Sequence, residues 1–468
     1  MNKYLYPQII QGGMAMYISN WWLAKVVSKL GQLGTVSGVS LEKAMVLILQ
    51  MGDSGGHLRR ALSSFPFPDV SGMVLKEYFV DGGVKKGSAM KNSPRFTIKP
   101  SEFLISLTVC ANYAFMWLAK EGHKNPVSVN FLEKIAMPHL YAIFGVMLAG
   151  GDCITMGAGI PWQVPEVLSN FADGKEAKYK VPVIGENIKE YVMSFDPLQF
   201  FGSDLKKVLP LKMPWFLPII SSNALASVLM KKLPKGSIHG FVVEGKEAAG
   251  HNAPPRNKKE YCEKDKVNHD DIKDLGLPFW LGGGYASPGG LVRARLAGAE
   301  GIQVGSIFAL CNDSAMNPEI RRRARYLGFR GELKVRTDML ISSSGYPFKV
   351  AELDGTISDP IIYKSRVCTC KHGALVQLYE TREGAIGYRC TGESVDTYVM
   401  KGGNIDETIG RGCLCCGLFS NTEITDDSTE PPIVTLGDDL GFLRHLMVDA
   451  HSSYSASDAI RYLLRNSL

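Results

Sequence analysis

Two glycine-rich turns, Gly282-Gly283-Gly284 and Gln303-Val304-Gly305-Ser306, are the residues of this chain best suited to hold an anion. Each follows a short apolar run and opens a helical pattern, so its backbone N–H groups can point at a ligand, and glycine lets that backbone come close. One such cluster is weak evidence, because turns use glycine anyway. Two in succession point to a phosphate-bearing ligand. Four other stretches end apolar runs in an unusual way: Gln11-Gly12-Gly13-Met14, Asn130, Gly157-Ala158-Gly159-Ile160-Pro161, and Val243-Glu244-Gly245-Lys246-Glu247-Ala248-Ala249-Gly250-His251-Asn252. The paired glycines of the first allow a flat ligand to lie against backbone. Asn130 offers both an amide donor and an acceptor.

Such turns act together only if a fold gathers them. From Pro7 to about Gly328 short strand-like runs alternate with helical patterns. The expected strands are Gln8–Ile10, Leu33–Ser37, Val127–Asn130, Cys153–Met156, Phe216–Ile220, Gly240–Val243, Pro278–Leu281 and Gly301–Val304. Helices are expected over 21–30, 41–50, 101–121, 138–149, 164–172, 222–232, 288–296, 306–312 and 317–327, the first capped by Ser19-Asn20 and carrying Trp22, Val26, Val27 and Leu30 at helical spacing. Eight strands, each followed by a helical segment, give an α/β fold of the (β/α)8 TIM-barrel type, with a doubly wound open sheet as the runner-up. In a barrel, chemistry sits in the loops after the strands. Residues 53–100, rich in Gly and Pro and irregular, and 173–213, of mixed character, read as insertions. Residues 1–331 are thus the barrel, and 332–468 a cysteine-rich extension packed on it, with a polar stretch at Asn421–Pro432 and a last helical piece near Ser455–Leu464.

Composition excludes other classes. Across 468 residues, 52 Lys+Arg against 46 Asp+Glu leave a net charge of only +6, and 45% apolar content is ordinary for a globular chain. Nucleic acid is not an expected partner, nor is disorder expected. No secretory signal is read in Met1–Gly13, and the uncharged window Phe103–Ala119 reads as a buried helix rather than a membrane span. A cytoplasmic setting follows by default, with thiols mostly reduced. His57, His123, His139 and His239 read as structural, and Arg321–Arg325 as a solvated face. Lys134 is open between charging the ligand site and facing solvent.

The runs PQIIQGGM, LGTVSG, NFLEKI, GAGIP, FVVEGKEAAGHNAPPR, FWLGGGYASP and GAEGIQVGSIFAL resemble those of nitronate monooxygenases, formerly 2-nitropropane dioxygenases, and RVC, GYRC and GRGCLC resemble a longer bacterial subgroup. Flavin-dependent enoyl-ACP reductases are similar across the same motifs. The resemblance implies FMN as cofactor, its phosphate on Gly283, Gly284, Gly305 and Ser306 with Gln303 and Val304 alongside, and its ring against Gly12, Gly13 and Met14 with Asn130 at the edge. Gly250 and Glu244 complete the set; the family usually has Gln at the latter place and Gly where Ala249 stands. His251 becomes the catalytic residue, taking a proton next to a nitro group or holding a nitronate.

The activity so implied is oxidation of alkyl nitronates with O2 to a carbonyl compound and nitrite. The alternative is an NAD(P)H-dependent enoyl-thioester reductase of fatty acid or polyketide synthesis. A non-redox phosphate- or nucleotide-binding barrel, or a synthase accessory protein, stands as a third class, although the Gly-Ser-x-Cys loop of one such family is missing. Small-molecule substrate, no membrane and a homodimer are the expected associations. Of ten cysteines six fall between Cys368 and Cys416. Their spacing is not that of the usual two-residue zinc knuckles, so a four-thiolate zinc site stays open beside plain thiols; the positions that match the subgroup's motifs, Cys368, Cys390, Cys413 and Cys415, would be its best quartet, and no metal is assigned.

Overall fold

A computed structural model describes residues 6–85, 87–257, 260–424 and 430–465. Parts of the N-terminal stretch and of the polar stretch at 421–432 discussed above therefore lie outside the described residues. Eight strands make one parallel sheet: β1 (Ile9–Gln11), β2 (Gly34–Ser37), β3 (Val127–Leu132), β4 (Cys153–Gly157), β5 (Trp215–Ile220), β6 (Phe241–Glu244), β7 (Phe279–Gly282) and β8 (Gly301–Val304). Their spatial order is β1-β8-β7-β6-β5-β4-β3-β2. The seam closes where Ile10 bridges Leu33 in parallel, with Leu33 N donating to Ile9 O at 3.0 Å and Gln11 N to Leu33 O at 2.9 Å. Closure settles the alternative of an open sheet: the fold is a (β/α)8 barrel.

Side chains at alternate strand positions face opposite sides. Ile10, Leu33, Cys153, Leu217, Val242 and Trp280 form a small buried cluster of their own, while the larger core gathers the other face with the helices. Trp280 Nε1 donates to Pro7 O at 2.7 Å, tying that inner cluster to the chain entering β1.

The helix Glu102–Lys120 is the one helix among the described residues long and apolar enough to cross a membrane, and 78% of that window is buried inside the protein. Two of its polar side chains donate within it: Thr108 Oγ1 to Leu104 O and Asn112 Nδ2 to Thr108 O. Gly145 of the helix His139–Leu148 lets the two helices touch, since a Cβ there would stand 2.5 Å from Val109 O.

Several local expectations are corrected. The helix Trp21–Lys29 buries Leu23, Ala24 and Val27, whereas Trp22 and Leu30 are exposed, Trp22 spending its N–H on Asp313. Residues 53–100 are not wholly irregular. Asp53 accepts from Leu58 N and Arg59 N to start the helix His57–Ser63, and Pro68 occupies the first turn of Pro68–Tyr78, where its missing N–H costs nothing. The second insertion holds an antiparallel pair, Ala177–Ile184 with Glu190–Phe195, the first strand alternating buried and exposed. Gln377–Glu380 pairs parallel to Ala177–Ile184 and antiparallel to Ile386–Arg389, making a four-stranded sheet of two distant stretches.

The arginine run is also not a plain solvated face. Arg321 and Arg325, one turn apart, are buried, donating to Ser314 O and to Leu310 O and Asn312 Oδ1 respectively. Arg322 stays outside, paired with Glu319.

Candidate active site

Gly12, Gly13, Met14, Asn130, Glu244, Gly250, His251, Gly283, Gly284, Gln303, Val304, Gly305 and Ser306 all line one cavity at the C-terminal ends of the strands. Its space is about 1580 Å³ with the open mouth counted. Gly283 and Gly284 have φ of +89° and +74°, the left-handed region that glycine alone enters freely, and so turn the chain sharply after β7. No backbone acceptor among the described residues takes the N–H of Gly283, Gly284, Gly305 or Ser306. Four unpaired donors on two adjacent loops are a ready seat for a phosphate.

Across the cavity, Gly13 abuts Asn130: a Cβ at Gly13 would lie 2.2 Å from Asn130 Cβ. Asn130 Nδ2 donates to Gly13 O at 3.3 Å, and Thr155 Oγ1 donates to Asn130 Oδ1 at 2.8 Å, so the amide is fixed from both ends. Gln11, buried beneath, donates to Gly12 O and Ser19 Oγ and accepts from Thr35 N. That turn is thus hydrogen-bonded from beneath and from the side by the chain's own residues.

Glu244 closes β6 at the cavity wall. Burial pushes its carboxyl up to about 7 from an ordinary 4.5. When protonated it can donate a hydrogen bond into the cavity, as an amide would.

His251 is held by a different part of the chain from the one that carries it. Its Nε2 lies 3.1 Å from Ser342 Oγ, which in turn meets Ser344 Oγ at 2.7 Å, and its ring stands edge-on to Phe348, centroids 5.0 Å apart. His251 Nδ1 has no hydrogen bond with the described residues. Lys134 neither enters the cavity nor faces solvent freely. Its Nζ donates to Ser344 O and sits 3.3 Å from the centroid of the Tyr346 ring. Burial first, and the charge of Lys134 second, hold the imidazole down to about 4, so it is neutral at physiological pH. His139, expected to be structural, is buried with Nε2 3.0 Å from Leu132 O, and His239 Nδ1 accepts from Phe216 N.

The roof comes from residues that carry no motif. A hairpin of Val335–Asp338 and Phe348–Ala351 bonds the loop after β6, with Lys349 N donating to Gly250 O and Asn252 N to Pro347 O, both at 2.9 Å. Thr435 Oγ1 accepts from Gly250 N at 2.8 Å, and Gly437 N donates to Ser306 Oγ at 2.7 Å. The buried Lys349 ammonium pairs with Asp438, locking hairpin and strap together. Leu414, Cys415 and Leu418 of the helix Leu414–Ser420 complete the lining. Sequence reasoning missed all of these. The only local signal was the turn chemistry of Gly437-Asp438.

No protein-family model and no curated protein matches the chain. Among solved structures, FabK from Thermotoga maritima aligns at 14% identity and a TM-score of 0.49, covering 98% of this chain and 92% of that one. A nitroalkane oxidase from Streptomyces ansochromogenes aligns at 12% and 0.46, covering 98% and 96%. The enoyl reductase domain of MlnA from the macrolactin biosynthesis cluster of Bacillus amyloliquefaciens aligns at 10% and 0.48, covering 99% and 96%. The barrel assignment stands on the strand order and closure described above, and the chemistry on the cavity's own residues.

Proposed function

We propose that the chain is an FMN-dependent oxidoreductase that converts alkyl nitronates and O2 to a carbonyl compound and nitrite. The observation that carries this reading is the cavity itself, with unpaired backbone donors at Gly283, Gly284, Gly305 and Ser306 on one side and the glycine turn braced by Asn130 on the other. The fit to FMN is good: donors for a phosphate, bare backbone for a flat ring, and Glu244 able to donate in place of Gln. Bound there, FMN supplies the electron-accepting chemistry that no side chain here offers.

The residues then divide the remaining work. A histidine held to about 4 is a weak base at neutral pH, poorly matched to pulling a proton from carbon. It suits a substrate that arrives already ionised, as a nitronate does, and its neutral ring can hydrogen-bond the nitronate oxygen. Ser342 orients the ring through Nε2 and leaves Nδ1 for that task. Phe348, Leu414 and Leu418 exclude water over the reacting atoms. In this reading residues 1–331 bind the cofactor and 332–468 cover it.

One observation favours the second reading, an NAD(P)H-dependent enoyl-thioester reductase. A second cavity shares Glu244, Glu247 and Gly282–Tyr285 with the first and is edged by Lys246, Arg256, Lys266 and Arg293 together with Glu263 and Asp265, Lys266 being paired with Glu263; the remaining cations suit a phosphorylated arm or nucleotide. Anaerobic mixing of the holoprotein with ethylnitronate, and separately with NADPH, decides between them. Rapid bleaching of the flavin by ethylnitronate, with nitrite formed in air, supports the first reading; bleaching by NADPH alone transfers support to the second. A colourless protein that cannot be reconstituted with FMN refutes both.

A further inference from the structure

We propose that Asn421 anchors a substrate subsite at an apolar end of the cavity, and that the substrate carries a neutral hydrogen-bonding group, an amide or a hydroxyl, beyond a stretch of hydrocarbon. The proposal rests on the reading of that cavity as the site of FMN and substrate.

Asn421 follows the helix Leu414–Ser420, and its N–H closes the last turn on Leu418 O and Phe419 O. Main chain holds it in place: Asn317 N donates to Asn421 O at 2.8 Å, and Met316 bridges Thr422 in antiparallel fashion. None of these bonds uses the side chain. The carboxamide brings an acceptor and two donor hydrogens. Among the described residues it meets no partner for either, and its Oδ1 is a buried acceptor left unpaired. The residue is only 2% exposed and lines the cavity. Asn130, the other asparagine of the lining, is bonded at both ends of its amide. A buried amide without partners costs stability, so a leucine of the same shape would serve the fold better. An amide kept there at the cavity wall points to a ligand.

The surroundings set the ligand's class. Met16, Ile18, Met316, Leu414 and Leu418 are buried and line the cavity. Leu414 and Leu418 lie one turn apart on the helix that Asn421 closes, and Ala315 N donates to Ile18 O at 3.1 Å, tying Met316 to the loop after β1. The carboxylates of the lining, Glu244, Glu247 and Asp439, come instead from β6, the loop after it and the strap joined to that loop by Asp438 N and Glu247 O. Hydrocarbon therefore suits the walls at this end, and one neutral polar group suits the amide. A charged terminus would give up its water with no counter-charge beside it. In the functional reading Leu414 and Leu418 cover the reacting atoms. Asn421 stands roughly 10 Å beyond Leu414 along the helix, which leaves room for several carbons between the reacting carbon and the polar group.

The test is calorimetric titration of the FMN-loaded full chain with hexanamide and with heptan-2-one, which has the same shape with methyl in place of the amide nitrogen. Hexanamide should bind about fivefold tighter or more. Asn421→Leu should abolish that preference, keep its FMN and melt at a higher temperature than wild type. The nitronates of 6-nitrohexan-1-ol and 1-nitroheptane extend the test to turnover: wild type should favour the alcohol, chiefly through KM, and the variant should not. Equal affinities in wild type, a preference that survives in Asn421→Leu, or a lower melting temperature with loss of FMN in that variant would overturn the proposal. If the variant is insoluble, the wild-type affinities decide. Titration needs no turnover, so an intact hexanamide preference beside failed nitronate oxidation refutes the functional reading and spares the subsite.

Discussion

The floor of the cavity is backbone at the ends of barrel strands, whereas its roof is side chains and one helix from residues 342–437. Floor positions such as Gly13 and Gly283 are constrained by what cannot be added to them. Roof positions such as Thr435 and Ser342 are constrained by the single group each must meet. The floor is therefore intolerant of volume and the roof intolerant of lost hydrogen bonds. The loop bearing His251 belongs to both, since a barrel strand delivers it and the hairpin fixes it.

That shared loop should give the largest effect. His251→Ala is expected to lower kcat/KM for ethylnitronate by ~10–100-fold, the worth of one hydrogen bond to a charged group, with flavin content unchanged. No step from this imidazole is expected between pH 6 and 8, because it is held to about 4; a step near pH 7 belongs to Glu244 and should vanish in Glu244→Gln. Steady-state rates between pH 4 and 9 check both.

On the floor, Glu244 gives a thermodynamic signature. Its folded carboxyl titrates at about 7 against an ordinary 4.5, so the folded state binds the extra proton. Stability from this group is fully present below pH 4.5 and is lost as pH rises to about 7, by at most ~3 kcal/mol. Other buried acids, Glu430 among them, titrate in the same window. Glu244→Gln should remove only its own share of that slope, read as the difference between wild-type and variant urea midpoints at pH 5 and pH 8.

Gly13→Ala tests intolerance of volume directly. The new methyl would meet Asn130 at 2.2 Å, and overpacking of this kind costs ~1–3 kcal/mol. Flavin occupancy should fall about tenfold, measured by equilibrium dialysis against FMN. The smallest effect belongs to the roof: Thr435→Val removes the acceptor of Gly250 N at constant shape, worth about 1 kcal/mol. A thermal shift larger for Thr435→Val than for Gly13→Ala would reverse the comparison.

The floor was legible in sequence because its signals are local. Glycine pairs, strand patterns such as Val127-Ser128-Val129 and Ser/Asn caps report on their own few residues, and eight repeats of one pattern reinforce one another. The roof was not, because nothing near Thr435 says that its partner is Gly250, 185 residues away. The insertions failed for a narrower reason. Gly and Pro around Asp53 and Pro68 read as breakers, when here one side chain caps a helix and a proline begins the next. The arginine run misled because carbonyl acceptors for Arg321 and Arg325 lie on a preceding loop, invisible to a count of charges.

The bond from Gly437 to Ser306 spans 131 residues. At ~5–20 residues per second, a ribosome finishes the Ser306 loop about ten seconds before the segment that covers it emerges. Parallel pairing of Leu378 with Val183 imposes a similar delay on the outer sheet. On the proposed function, FMN would meet a mouth that this segment does not yet cover during that interval. Once the strap is laid, exchange requires it to lift, so loading coupled to synthesis would be fast and later loading of a finished apoprotein slow.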